Sequence, residues 1–291
     1  MNDKTKTDSY GNPIDLKSNK PNSPFRYAGG KFYARKLILE QLKPSHSYCE
    51  PFAGGGSIFF AQKIPAKFNW LNDFDEALIN TYLQIRDNLQ ELAKYLDGIQ
   101  ATKELHTFYK NEYKPKTDTE RAFRWYYLNR TSYSGIMKEE NCYWGYGEKY
   151  SMQPKNWIPH LRTVSDKLQS VKITNIDFEE VIDSASDGSM LFVDPPYYNA
   201  DQKKFYPCNF ELKDYSRLME CLKRNKDRVY FLLTYDDSEE VRELYEWCSI
   251  INEQSWNYTI IRTDDQKTGQ KLIDGHKSQR TKGNEIFLSY E

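Results

Sequence analysis

An α/β fold on a doubly wound, mostly parallel sheet is what this sequence predicts, and three observations predict it. Seven short apolar runs of strand length are spread along its 291 residues. Amphipathic helical patterns separate most of them, as the crossovers of a parallel sheet require. Three successive runs end in glycines, in an acid, or in an acid beside an aromatic ring, the residue types found where parallel strands open onto a ligand crevice.

The elements follow in order. Residues 1–22 hold too few apolar side chains to bury and read as a flexible tail. The first part of the core domain, 23–89, contains the strand patterns SYCEPF (47–52) and KFNWLND (67–73), then Leu78, Tyr82, Ile85 and Leu89 at helical spacing. The alternation fails over 90–165, which reads as an insertion. It is helical at first, most clearly in TERAFRWYYLNR (119–130), then rich in glycine and aromatics in TSYSGIMKEENCYWGYGEKYS (131–151). A small helical lobe followed by an extended loop or hairpin is expected there. The core domain resumes at 166–291 with VKITNI (171–176), MLFVD (190–194), VYFLLT (229–234), SIINE (249–253) and EIFLSY (285–290). Leu212, Tyr215, Met219 and Leu222 mark one helix; Val241, Leu244, Tyr245 and Cys248 mark another, with its start at Asp237 and Ser238.

Composition narrows the classes. With 38% hydrophobic and 29% charged residues the chain can build a sizeable core, and a formal net charge of −1 gives no global pull toward an acidic or basic partner. Basic residues concentrate locally in 23–45 and in 262–284, the spans that hold Arg26 and Lys31 and, at the other end, Lys277, Arg280 and Lys282. Such patches can track phosphates; a solvated surface is the plainer reading. The five cysteines lack CxxC or zinc spacing and the four histidines are scattered, so reduced thiols and no metal site are expected. There is no apolar leader and no run of membrane-spanning length, which points to a soluble, cytoplasmic protein.

Chemistry gathers at the strand ends. EPFAGGGS places Glu50, Phe52, Ala53, Gly54, Gly55, Gly56 and Ser57 at the first strand-to-helix turn, where glycines let backbone and ligand approach closely. It is not GxxxxGK[ST], which argues against a nucleoside triphosphate. Asp73 after the second strand can accept from ribose hydroxyls, or it or Asp75 can cap the following helix. Asp177 can bond an exocyclic amine with Phe178 packed on a ring, or Asp177 is likewise a cap. Together these ends describe a nucleoside pocket better than any one alone. The fourth strand delivers Asp194, Pro195, Pro196 and Tyr197: a carboxylate in a stiff aromatic corner, costly to bury without a task.

DPPY (194–197), PFAGGG (51–56) and the upstream FRYAGGK (25–31), in this order and with an insertion before DPPY, resemble the adenine-N6 DNA methyltransferases of the Dam-like, D12 class. The likeness covers most of 23–291 and includes ND (72–73), DF (177–178), YLNR (127–130) and the closing GNEIFLSYE. It implies a seven-stranded S-adenosylmethionine-dependent methyltransferase sheet with a helical or hairpin target-recognition insertion. It also implies S-adenosylmethionine as cofactor and double-stranded DNA as partner, a cognate restriction endonuclease being a further partner. Tyr27, Lys31, the Glu50–Ser57 turn, Asp73, Asp177, Phe178 and Asp194 would surround the cofactor. Asp194 and the carbonyl of Pro195 would accept the two N6–H bonds of an adenine taken out of the duplex, with Tyr197 stacking on it.

The same fold acting on RNA or on cytosine N4, or a non-catalytic nucleic-acid-binding module, is the alternative. DNA contacts are expected from Arg26, Arg130, Tyr133, Ser134, Lys138, Lys277, Arg280 and Lys282. After YLNR the chain departs from the GATC methylases, with Ser134 where the resemblance leads one to expect Asn and Lys138 where it leads one to expect Arg. GATC is therefore not implied as the recognised site.

Overall fold

The computed structural model describes residues 22–27, 29–32, 34–63, 65–149, 151–198, 210–257 and 282–290. Strands β1 (Ser47–Glu50), β2 (Phe68–Asn72), β3 (Val171–Thr174), β4 (Met190–Val193), β5 (Tyr230–Asp236), β6 (Ser249–Asn257) and β7 (Lys282–Ser289) form one sheet. Their spatial order is β3-β2-β1-β4-β5-β7-β6. The first five are mutually parallel, and β7 is antiparallel to both β5 and β6. The predicted doubly wound, mostly parallel architecture is thus the observed one. Its order reverses between β1 and β4, the crevice at which open α/β sheets hold ligands.

Period-two alternation sorts the strands into two cores. Met190 and Phe192 face a layer of α1 (Arg35–Gln41), α2 (Ser57–Ala61), α3 (Glu76–Asp87), α4 (Leu89–Leu96), α6 (Asp118–Thr131) and α7 (Trp157–Leu168). Leu191 and Val193 face α8 (Phe178–Ser184), α9 (Leu212–Asn225) and α10 (Glu239–Leu244). Helix starts follow local chemistry. Asp75 accepts from the N–H groups of Ala77 and Leu78, Thr117 and Glu120 form a capping box, and Ser238 accepts from Val241. Among the described residues, no helix is long and apolar enough to cross a membrane.

Within the helical insertion, Phe123, Tyr126 and Tyr127 of α6 share a core with Tyr82 and Leu71, because their aromatic stripe finds the sheet's helical layer. Helix α5 (Lys103–Asn111) packs outside α6, and α7 runs across residue 165 without a break. The stretch after α6 takes the loop form rather than the hairpin: among the described residues one bridge, Ser132 to Trp144, joins its arms between short 3₁₀ turns. Lastly, β6 runs to Asn257 and its partner β7 begins at Lys282, both strands longer than their apolar patterns. Ladder hydrogen bonds need no apolar side chains, which is why polar residues concealed these ends. Residues 1–21, with most of the flexible-tail expectation, fall outside the described residues, as do Lys277, Arg280 and the side chain of Lys282.

Candidate active site

The glycine turn after β1 is shaped by the chain itself. Gly54 (φ 47°) and Gly56 (φ 64°) are left-handed, a region that Cβ-bearing residues avoid. A Cβ on Gly54 would stand 2.8 Å from the ring of Tyr27, and one on Gly55 3.1 Å from Tyr27 Cβ. The close approach these glycines allow is therefore partly to Tyr27. Ser57 lies against Gly30 of the same upstream motif. The carbonyl of Gly54 accepts from Tyr82 (3.0 Å) and its N–H donates to Asp73 Oδ2 (2.8 Å), while Asp73 Oδ1 accepts from the N–H of Asp75 (3.0 Å). Burial pushes the Asp73 carboxyl up to about 6, against the pull of those backbone donors. Asp75, not Asp73, is the cap of α3.

Buried Asn72 fastens three strand ends together. Its Nδ2 donates to the carbonyls of Pro51 and Ile176, both at 3.0 Å, and its Oδ1 accepts from Thr174 and from the N–H of Ile176. Glu50 turns inward, its Oε1 accepting from Tyr48 and from the N–H of Phe59, both at 2.7 Å. Burial pushes it up to about 8. That geometry anchors α2.

At β3 the acid serves the helix. Asp177 Oδ1 accepts from the N–H of Glu179 and from Arg217, each at 2.9 Å. Phe178 is buried against Phe52 and Phe210, with the Arg217 guanidinium 4.9 Å from its ring. The exposed ring in this region is Phe74, 65% exposed beside Asp73, which motif reading passed over because it is only the neighbour of an acid.

The other wall of the crevice is the aspartate corner. Asp194 follows β4 on the face of Phe192, so it shares that face with Thr234 of β5 and Glu285 of β7. Asp194 Oδ1 accepts from Thr234 Oγ1 and from Lys31 Nζ, both at 2.7 Å, and Lys31 lies 3.9 Å from Glu285. Side-chain exposure is 6% for Lys31 and 18% for Asp194. Lys31 Nζ also sits 4.7 Å from the centre of the Tyr197 ring. The segment is pinned beyond Pro195 and Pro196: the carbonyl of Tyr197 accepts from Tyr215 and the N–H of Tyr198 donates to Asp236. Sequence reading missed Thr234, Tyr215, Asp236 and Glu285. Only the trailing GNEIFLSYE hinted at the last of these.

A second assembly joins the upstream motif to the insertion. Asn129 Oδ1 accepts from the N–H of Arg26 (2.9 Å), and its Nδ2 donates to the carbonyls of Arg26 (2.7 Å) and Gly135 (3.3 Å). Arg26 Nη1 donates to the carbonyl of Ser132. Ser134 is the only non-glycine with positive φ (52°) among the described residues, and a Cβ on Gly135 would collide with the Arg26 carbonyl at 2.2 Å. Tyr133 is held by its N–H to the carbonyl of Tyr143. Lys138 is half-buried further along. The loop's base is closed by buried His106, between Thr131 Oγ1 (2.9 Å) and the carbonyl of Cys142 (3.2 Å).

Arg130 is 6% exposed, and its Nε has no hydrogen-bond partner among the described residues. Among the described residues it forms no ion pair with an acid. It repels Arg26 and His160, and burial together with that repulsion pushes His160 down to about 4.

The chain matches the model of the D12 class N6 adenine-specific DNA methyltransferases over residues 27–260. It is 30% identical over 256 residues to a type II methyltransferase, M1.LlaDCHI, of Lactococcus lactis subsp. cremoris, covering 79% of this chain and 87% of that one. It is 24% identical over 262 residues to a DNA adenine methylase of Vibrio cholerae, covering 86% and 92%. A third relative, the type II methyltransferase M.CviBI of Paramecium bursaria Chlorella virus NC1A, is 25% identical over 227 residues, covering 76% and 85%. With its glycine turn and aspartate corner on the two walls of the switch-point crevice, this chain belongs to the D12 class of N6 adenine-specific DNA methyltransferases.

Proposed function

We propose that the chain methylates N6 of an adenine extruded from duplex DNA, with S-adenosylmethionine as donor, in the crevice between the Pro51–Gly56 turn and Asp194. The observation that carries this is Asp194 itself: mostly buried, ionic, and fixed by Thr234 and Lys31 at the switch point. The residues present fit a sulfonium nucleoside. Asp73 offers acceptors for its ribose, Phe74 and Phe52 offer faces for its purine, and Gly54 and Gly55 offer bare backbone. Asp177 and Phe178 would bound the purine's far edge, and Tyr27 the glycine turn.

Once bound, the donor supplies an electrophilic methyl group. The chain supplies alignment and charge. The adenine amino nitrogen is a poor nucleophile because its lone pair is delocalised into the ring. Asp194 accepts one N6–H and the Pro195 carbonyl the other, drawing the nitrogen toward a tetrahedral geometry and offsetting the positive charge that grows on it. Pro195 and Pro196 keep both acceptors stiff, and Tyr197 stacks on the base, which must leave the duplex to reach them. Arg26 and Arg130 hold phosphate, while Tyr133 fills the gap beside the extruded base and Ser134 and Lys138 face its neighbours. The enzyme serves a restriction–modification system or acts as a stand-alone methylase.

Two measurements test this reading. Unmodified plasmid incubated with enzyme and S-adenosylmethionine, then sequenced for N6-methyladenine, should show one short motif. Lys138→Ala or Tyr133→Ala should relax or weaken that motif by ~1–3 kcal/mol per lost base contact, with cofactor affinity unmoved. Motif and rate identical to the parent's would place recognition elsewhere.

The second concerns Asp73. An acceptor is lost when a carboxylate gains a proton, so cofactor affinity should hold above about pH 6 and fall as the pH drops through that value. Calorimetry on Asp73→Asn should show ~0.5–3 kcal/mol of lost affinity at neutral pH and a flattened pH dependence. A variant with the parent's affinity and slope would remove Asp73 from the ribose.

A further inference from the structure

Beside Asp194 the site holds a second buried carboxylate. Glu285 enters from β7, is 1% exposed, and shares with Asp194 one cation, Lys31. The sheet dictates this meeting. β7 runs antiparallel beside β5 with Asp236 opposite Glu285 and Thr234 opposite Phe287, so Glu285 and Thr234 fall on the sheet face that carries Asp194. Lys31 arrives from the opposite end of the sequence, its backbone brought close by the Tyr27–Gly30 turn that packs on the glycine loop.

Burial pulls the Lys31 ammonium down, yet Asp194 and Glu285 together hold it above the usual lysine range. Burial raises Asp194 and, with Glu285 pushing the same way, outweighs the pull of Lys31 and Thr234, so its carboxyl stands above the usual aspartate range. The other charged groups facing this corner are Glu50 from β1, close enough to feel Asp194, and Asp236 from β5, engaged with the N–H of Tyr198. A lysine paired with Asp194 alone would neutralise the very charge that must offset the methylating nitrogen. A second carboxylate sharing the lysine leaves part of that charge available and keeps the lysine in place beside the aspartate.

We infer that Glu285 is a positioning residue for methyl transfer: acting through Lys31, it sets the charge and orientation of Asp194 without touching the substrate. The inference rests on Asp194 being the acceptor of the adenine amine.

The test is single-turnover methylation of unmodified plasmid across pH, with parent, Glu285→Gln, Glu285→Asp and Lys31→Met. Loss of the Glu285 charge removes an upward push on Asp194, so in Glu285→Gln the acid limb of the rate moves to lower pH. Loss of the Lys31 charge removes a downward pull, so in Lys31→Met that limb moves to higher pH. Glu285→Gln should also lower the limiting rate about tenfold (~1.4 kcal/mol), with the parent's affinity for S-adenosylmethionine, and Glu285→Asp should recover part of the loss.

Opposite displacement of the two limbs supports the inference. An unmoved acid limb in Glu285→Gln overturns it, as does a rate loss that Glu285→Asp does not recover. Should Glu285→Gln fail to fold, Lys31→Met and Glu285→Asp decide: a limb unmoved in Lys31→Met means that Lys31 does not link the two acids. Failure of the underlying reading looks different, because Asp194→Ala would then retain turnover.

Discussion

Asp194→Ala is expected to reduce methyl transfer by at least ~10²–10³-fold, the scale of losing a preorganised group that stabilises developing charge. Two things argue that the fold survives. Asp194 lies beyond the last ladder residue of β4, and Lys31 keeps a carboxylate neighbour in Glu285 when Asp194 is gone. Asp194→Asn preserves the shape and the Thr234 hydrogen bond but not the charge, and should be nearly as slow. Single-turnover rates with tritiated donor separate the two contributions. Near-normal turnover by a folded alanine variant would defeat the proposed chemistry.

Asn129→Ala should lower the stability to unfolding by about 2–4 kcal/mol, since it orphans buried backbone groups that each cost ~1–3 kcal/mol when unpaired. Asn129 is fully buried, and its amide clamps both backbone groups of Arg26 while also reaching the carbonyl of Gly135. The same amide ties the upstream motif, and through it Tyr27 and the glycine turn, to the loop that carries Tyr133 and Lys138. The variant should therefore also lose methylation of DNA out of proportion to its occupancy by cofactor. Urea titration with an unchanged m-value measures the first effect. A stability loss under about 1 kcal/mol would mean that water or a rearranged loop replaces the clamp.

The strand ends were legible in the sequence because their chemistry is local. An apolar run followed by three glycines, or by an acid and two prolines, says what the backbone does there without reference to any other segment. So Asp194 and the Gly54–Gly56 turn lie where their motifs led one to expect. Helix starts at Asp75, Asp177 and Ser238 were legible for the same reason, a side-chain oxygen reaching an N–H two or three residues away. At Asp177 the local reading also left cap and ligand roles open, and the geometry gives it the cap and an arginine.

What only the tertiary structure decided are the partnerships of residues far apart in the chain. Lys31 meets Asp194 and Glu285 across the whole sequence, Asn129 meets Arg26 over 103 residues, and Asn72 gathers strand ends belonging to three separate segments. No spacing rule encodes such contacts, because they depend on strand order and on which face each strand turns to which neighbour. The insertion shows the same limit: its aromatic stripe was visible, but whether it closed on itself or on the sheet depended on the apolar surface α3 and the sheet left uncovered. The sequence alone determined the fold class, the family and the place of the acid at the end of β4. The charge balance around that acid, and the clamp that joins the upstream FRYAGGK motif to the loop after α6, were set by packing, since a buried ion or amide takes its role from the partners that folding brings within hydrogen-bond reach.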